Sequence, residues 1–188
     1  SVSASEFLNV ASMAAETLAS ASGVVVKGSV PVLVKPREFA TESLEVEEKY
    51  TAPDEASQQR ADREAKELEA LWSTASPQRL WAKAFVPPAA GSLGSSFGLR
   101  RMFNGEPRSP HSGLDIKAPL GAEVYAANAG KVVLAKDLFF TGNTVIIDHG
   151  LGLYTVYAHL SRIDVATGDD VERAKSGRTS EPRPWPRL

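Results

Sequence analysis

The chain has 188 residues, 43% of them hydrophobic, and a formal net charge of -2. Those values suit a soluble globular protein of one or two domains with a real core. They give no electrostatic reason to expect nucleic acid as a partner. The chain has no cysteine, which excludes disulfides and cysteine-rich metal clusters. No apolar run approaches the ~18 residues of a membrane span, and no basic, apolar leader opens the chain at Ser1.

Residues 1–50 read as a fragment of an N-terminal β domain. Residues 1–22 are rich in Ala and Ser and carry no clear assignment. The β-branched runs Gly23 to Gly28 and Val30 to Pro36, bounded by Gly and Pro, read as short strands. Ser43 to Glu47 alternates and reads as another.

Residues 51–85 read as a helical linker. Asp54 is placed as its N-cap, with Glu55 favoured near the positive end of the helix. Ala61, Ala65, Leu68, Leu71 and Trp72 recur at spacings of three and four, which predicts one narrow apolar stripe. Arg60 and Glu64 face each other at i, i+4. The stripe is expected to pack on the following domain, anchored by Trp72, Leu80 and Trp81. Ser76 to Trp81, with Pro77 near its start, reads as a second short helical turn.

Residues 86–188 read as a β-rich domain. Glu123 to Ala127, Gly130 to Ala135, Asn143 to Asp148 and Leu153 to His159 are the strand candidates, punctuated by Gly98, Gly113, Gly121, Gly130, Gly142 and Gly150. Short strands, tight turns and little helix predict an antiparallel sheet, so the chain as a whole is expected to be mainly β. Under period-two alternation His159 shares a strand face with Thr155 and Tyr157.

The chemistry-bearing stretch is His111-Ser-Gly-Leu-Asp115. An imidazole nitrogen and a carboxylate oxygen are natural zinc ligands. On spacing alone the pair is weak, since a solvated loop histidine and a turn-capping aspartate give the same text. The chain has three histidines: His111, His149 and His159. His149 sits at the turn of the Thr144–Leu160 hairpin and His159 at its far end, so the two are roughly 20 Å apart at ~3.3 Å per residue. His149 is therefore expected to be a turn residue that satisfies local backbone groups. Arg100 and Arg101 are candidates for a substrate carboxylate or for plain solvation.

The surroundings add specificity. Ser96-Phe-Gly-Leu-Arg100, Pro110 to Ile116, Ala118 to Ala127, Ala129 to Val133, Gly142 to Gly150 and Tyr157-Ala-His-Leu-Ser161 follow one another in an order and spacing that resembles the lysostaphin-type (LytM-like) zinc metallopeptidases, which cut peptide cross-links of bacterial peptidoglycan. The resemblance runs over about residues 86–172. It implies one Zn2+ ion with His111 and Asp115 as ligands. It makes His159 the catalytic histidine and has the face of Tyr157 line a groove for stem or cross-bridge peptides, with Arg100 beside it. It also implies an extracytoplasmic location, in the periplasm or cell envelope.

The family's third ligand, the second histidine of a later His-x-His pair, has no counterpart, because no histidine follows His159. The text after Arg173 is rich in Arg, Pro and Ser, with Pro182, Pro184 and Pro186, and is expected to be irregular. The domain is thus expected to be C-terminally truncated, incomplete after about residue 172, through a frameshift near Glu172 to Ala174. The alternative is a non-catalytic peptidoglycan-binding or hydrolase-regulating module.

Overall fold

The computed structural model describes residues 14–19, 25–29, 37–74, 76–94 and 97–174. The chain forms two compact units, residues 1–39 and 40–188. In the first, β1 (Ala14–Ala19) and β2 (Val25–Ser29) make an antiparallel pair with an irregularity between Ala15 and Leu18. β2 covers the first expected strand. The run from Val30 to Pro36 and the tail from residue 175 lie outside the described residues.

The second unit holds the main sheet, whose strands are β8 (Gly130–Leu138), β9 (Gly142–Asp148), β10 (Tyr154–Leu160) and β11 (Asp170–Val171), in the order β10-β9-β8-β11 and all antiparallel. The molecule is mainly β, as its alternating short runs predict. β9 is buried on both faces from Thr144 to Asp148, as a central strand with a continuous apolar run should be.

A bulge in β8 explains how one strand serves two cores. Val132 pairs with Ile147 but Leu134 pairs with Ile146, so the register slips at Val133 and the strand changes face. Val132 then joins Ala126, Val145, Ile147, Tyr157 and Val171 on one side of the sheet. Leu134 and Leu138 join Ile146 on the other, where Leu68, Leu71 and Tyr154 cover them.

Leu68 and Leu71 come from α2 (Glu55–Trp72), which follows a short α1 (Glu48–Thr51). Asp54 caps α2 by accepting from Ser57 N at 2.7 Å. Ala61 is buried, Ala65 is exposed, and Trp72 meets Tyr154 edge-on with centroids 5.1 Å apart. Arg60 pairs with Glu64 at 2.7 Å as expected, and also reaches Asp137 of β8 at 2.7 Å. The helix is therefore docked on the sheet.

Two expected elements are absent, for the same reason: their backbone donors have other partners. Ser76 to Trp81 is not helical. Ser76 N and Leu80 N donate to Asp148 Oδ2 (3.1 Å) and to the carbonyl of His149 (2.8 Å), and Ser76 O accepts from Leu151 N. Glu123 to Ala127 is not a strand. Tyr125 N donates to Pro88 O, and Ala127 N donates to the hydroxyl of Tyr157 at 2.8 Å. The third N-terminal strand is β3 (Thr41–Leu44), and it belongs with the second unit. It pairs in parallel with β5 (Arg100–Phe103), which also pairs with β6 (Glu106–Arg108). β4 (Ser92–Leu93) pairs with β7 (Ile116–Lys117).

Candidate metal centre

His111 and Asp115 lie on one irregular loop tied down at both ends. His111 N donates to Leu99 O and Gly98 N donates to His111 O, both at 2.8 Å, so the histidine backbone is clamped to the entrance of β5. Gly98 makes this clamp with φ of 87°, a conformation that favours glycine. Asp115 precedes β7, and its carbonyl accepts from Gly94 N at 2.8 Å, next to the β4–β7 ladder.

The intervening Ser-Gly-Leu turns the two side chains together. His111 Nε2 lies 3.1 Å from Asp115 Oδ1. The imidazole is mostly covered, at 11% side-chain exposure, while the carboxylate is half open at 50%. Two ligands held ~2.0–2.1 Å from a tetrahedral zinc sit roughly 3.3 Å apart. The observed bite is thus the right size, with the right donor chemistry, for two ligands of one ion. Among the described residues no group of three or more His, Cys, Asp or Glu comes together to hold a metal, so the pair has no third carboxylate, imidazole or thiol donor there. Asp137 is engaged by Arg60.

His159 stands apart from the alternation of its strand. β10 is bulged between Tyr157 and Leu160, and His159 takes φ of 57°, rare for a residue with a side chain. Its N–H donates to Thr141 O at 2.8 Å, and its side chain is exposed above Gly142, where an added Cβ would lie 4.0 Å from Nδ1. Period two would have placed His159 on the face of Thr155 and Tyr157. The bulge turns it outward instead.

That inner face is core, which corrects the placement of Tyr157 beside a substrate. Tyr157 is 7% exposed, and its hydroxyl accepts from Ala127 N and meets Thr155 Oγ1 at 3.0 Å. Burial pushes its pKa up. Thr155 also meets Nε2 of His149 at 2.8 Å, and Nδ1 of His149 meets the carbonyl of Ala129 at 2.7 Å. A carbonyl can only accept, so Nδ1 carries the proton. Nε2 of the neutral ring then accepts from Thr155, and Tyr157 in turn donates to Thr155. The result is one directed chain of four hydrogen bonds from Ala127 to Ala129.

His149 is therefore fully satisfied and fully buried, and its ring bonds Ala129, 20 residues away, and Thr155, 6 residues away, rather than the backbone of its own turn. Burial lowers its pKa, against the weaker opposing effects of the Ala129 bond and the Asp148 charge.

Of the two arginines, Arg100 is exposed, and the structure turns the other one to the site. Arg101 Nη2 lies 3.6 Å from Asp115 Oδ2. The signal was present in the sequence: adjacent residues of a strand face opposite ways, so just one of the pair could face the loop.

Comparisons with known proteins bear on this geometry. The sequence profile of Peptidase family M23 matches residues 109–178, which include His111, Asp115 and His159. A solved Pseudomonas aeruginosa structure described as a peptidase M23 superposes with a TM-score of 0.61 and 32% identity, over 82% of this chain and 54% of that one. Residues 109–178 carry the pattern of peptidase family M23.

Among curated relatives, the peptidoglycan DD-endopeptidase ShyA of Vibrio cholerae is 38% identical over 84 residues, 44% of this chain and 20% of that protein. ShyC of the same organism is 37% identical over 105 residues, 54% of this chain and 23% of that protein. The lipoprotein YgeR of Escherichia coli is 41% identical over 63 residues, 33% of this chain and 25% of that protein. The chain thus spans about a fifth to a quarter of the length of these relatives. No helix among the described residues is long and apolar enough to cross a membrane.

Proposed function

We propose that this M23 domain is a zinc-dependent metalloendopeptidase directed at the stem or cross-bridge peptides of bacterial peptidoglycan, working outside the cytoplasm. The observation that carries the reading is the 3.1 Å approach of His111 Nε2 to Asp115 Oδ1 inside the family-matched segment. Peptidoglycan as substrate and an envelope location are supported by relatives that are named peptidoglycan endopeptidases and a lipoprotein.

Zinc, when bound, supplies Lewis-acid polarisation of the scissile carbonyl and a more acidic water. The chain's own groups do the rest. His111 and Asp115 hold the ion. The clamp at Leu99 and the β4–β7 ladder keep their backbones in place, so the bite needs no rearrangement. His159, exposed and aimed outward by the β10 bulge, exchanges a proton with the substrate or holds its developing oxyanion.

With two protein ligands in place of three among the described residues, this chain holds zinc weakly, water completes the shell, and turnover is impaired. A strong protein site provides ~10–16 kcal/mol, and loss of one of three ligands removes several of these. Elemental analysis of the purified chain after dialysis against a mild chelator is expected to give well under one zinc per chain. Added zinc is expected to restore slow release of soluble fragments from peptidoglycan, abolished by His111→Ala. Stoichiometric zinc surviving dialysis would refute the two-ligand account.

The two-donor pair also favours a second reading, a non-catalytic peptidoglycan-binding or hydrolase-regulating module. Binding to purified sacculi that is unchanged by His111→Ala, with no zinc-dependent cleavage, would select it.

A further inference from the structure

Asp115 divides its two oxygens. Oδ1 faces His111 Nε2 at 3.1 Å, and Oδ2 faces Arg101 Nη2 at 3.6 Å. The second distance is too long for a hydrogen bond, so the guanidinium is near the carboxylate without committing a donor to it. Arg101 Nε is buried and makes no hydrogen bond among the described residues. A guanidinium cannot shed its proton, and a buried N–H without an acceptor is unfavourable.

The residues directly across the two ladders of β5 are Arg108 on β6, a like charge whose own Nη2 goes to Thr51 O at 3.2 Å, and Glu42 on β3, and neither is an acceptor for Arg101 Nε. The planar fork of an arginine matches a carboxylate in two-point geometry.

We propose that Arg101 is a specificity-determining residue that binds a carboxylate of the peptide substrate beside the His111–Asp115 pair. The class of ligand is a peptide bearing a free carboxylate, either at its C-terminus or on an acidic side chain. The assignment rests on the peptidase reading for its meaning, but the contact itself needs neither zinc nor turnover.

The test follows the arginine Nε–H resonance of Arg101 in 15N-labelled full chain, without metal, during titration with three probes. These are N-acetyl-Ala-Ala, its C-terminal amide, and N-acetyl-Ala-Glu amide. The resonance is expected to move with at least one carboxylate-bearing probe and to stay put with the fully amidated one. Whichever carboxylate moves it identifies the source. Arg101→Gln is expected to weaken that probe about tenfold and Arg101→Lys to keep part of it, since charge remains and the two-point fork is lost. Backbone amide shifts, which all three proteins share, give the affinities of the variants and verify that they are folded.

Equal shifts with carboxylate and amide, no shift with any probe, or full affinity in Arg101→Gln would each overturn the proposal. Zinc content and peptidoglycan cleavage, which test the peptidase reading, are read separately and do not enter this result.

Discussion

Two of the chain's three histidines, His149 just after β9 and His111 on a loop, show what makes an imidazole structural or chemical. His149 is fully buried, with Nδ1 on Ala129 O and Nε2 on Thr155 Oγ1. Both of its nitrogens have uncharged protein partners, and no lone pair is left for a metal. His111 is also mostly covered, but its Nε2 faces a half-exposed carboxylate across a gap the size of a shared ion. Burial alone does not separate the two. The partner does: a carbonyl and a hydroxyl end a hydrogen-bond chain, whereas a carboxylate invites a cation.

If the sheet carries stability and the loop carries chemistry, substitutions in the two regions should separate cleanly. The largest expected effect is Ile147→Ala. This side chain is fully buried in the central strand, so its loss should cost about 3–4 kcal/mol in denaturant unfolding. The matching loop change, Leu114→Ala at a side chain 52% exposed, should stay within about 0.5 kcal/mol. Similar costs for both would erase the distinction between the regions.

Next in size is Thr155→Val, which removes the donor to His149 Nε2 and the acceptor for Tyr157, for about 1–3 kcal/mol. The same chain of bonds predicts a pH dependence. The pKa of His149 is lowered on folding, so the native state favours the neutral ring. Above the unfolded value of ~6.5 both states are neutral and the full stability is present. As pH falls below that value the unfolded state takes up a proton that the native state resists, and stability declines until the lowered native pKa is reached. Chemical denaturation between pH 8 and 5 should show this slope, and His149→Gln should flatten it. A slope unchanged in that variant would place the titration elsewhere.

The smallest effect on stability is expected at the site itself. His111→Ala and Asp115→Ala should each change unfolding by less than about 1 kcal/mol, since one partner is half exposed. Each should nevertheless abolish zinc uptake measured by competition with a chromogenic chelator. Undiminished uptake in both variants would move the metal away from the pair.

Much of the sheet is legible in the sequence. β8, β9 and β10 stand within a few residues of their expected bounds because β-branched runs and glycine-marked turns set both period and ends. Asp54 was readable as a cap because its oxygen meets an orphan N–H three residues on, a purely local event. The His111–Asp115 pair was readable because four residues on one tight loop cannot be far apart.

The misreadings all involve partners remote in sequence. Ser76 to Trp81 has a helical start signal, yet its backbone groups go to the turn after β9. Glu123 to Ala127 has strand composition, yet its donors go to Pro88 and Tyr157. The slip at Val133 and the outward turn at His159 are bulges, and a bulge leaves the composition of a strand unchanged while reversing which side chain faces which way.

The sequence by itself determined the β-rich class, the docking helix with its cap, and the identity and closeness of the His111–Asp115 pair. Each depends on residues a few positions apart, where covalent geometry leaves little choice. Tertiary structure alone decided that Tyr157 is core and His159 surface, that Arg101 rather than Arg100 faces the pair, and that His149 is a buried structural histidine. Those outcomes depend on which strand pairs with which, and in what register. Register is set by the burial of whole faces, and no local pattern records it.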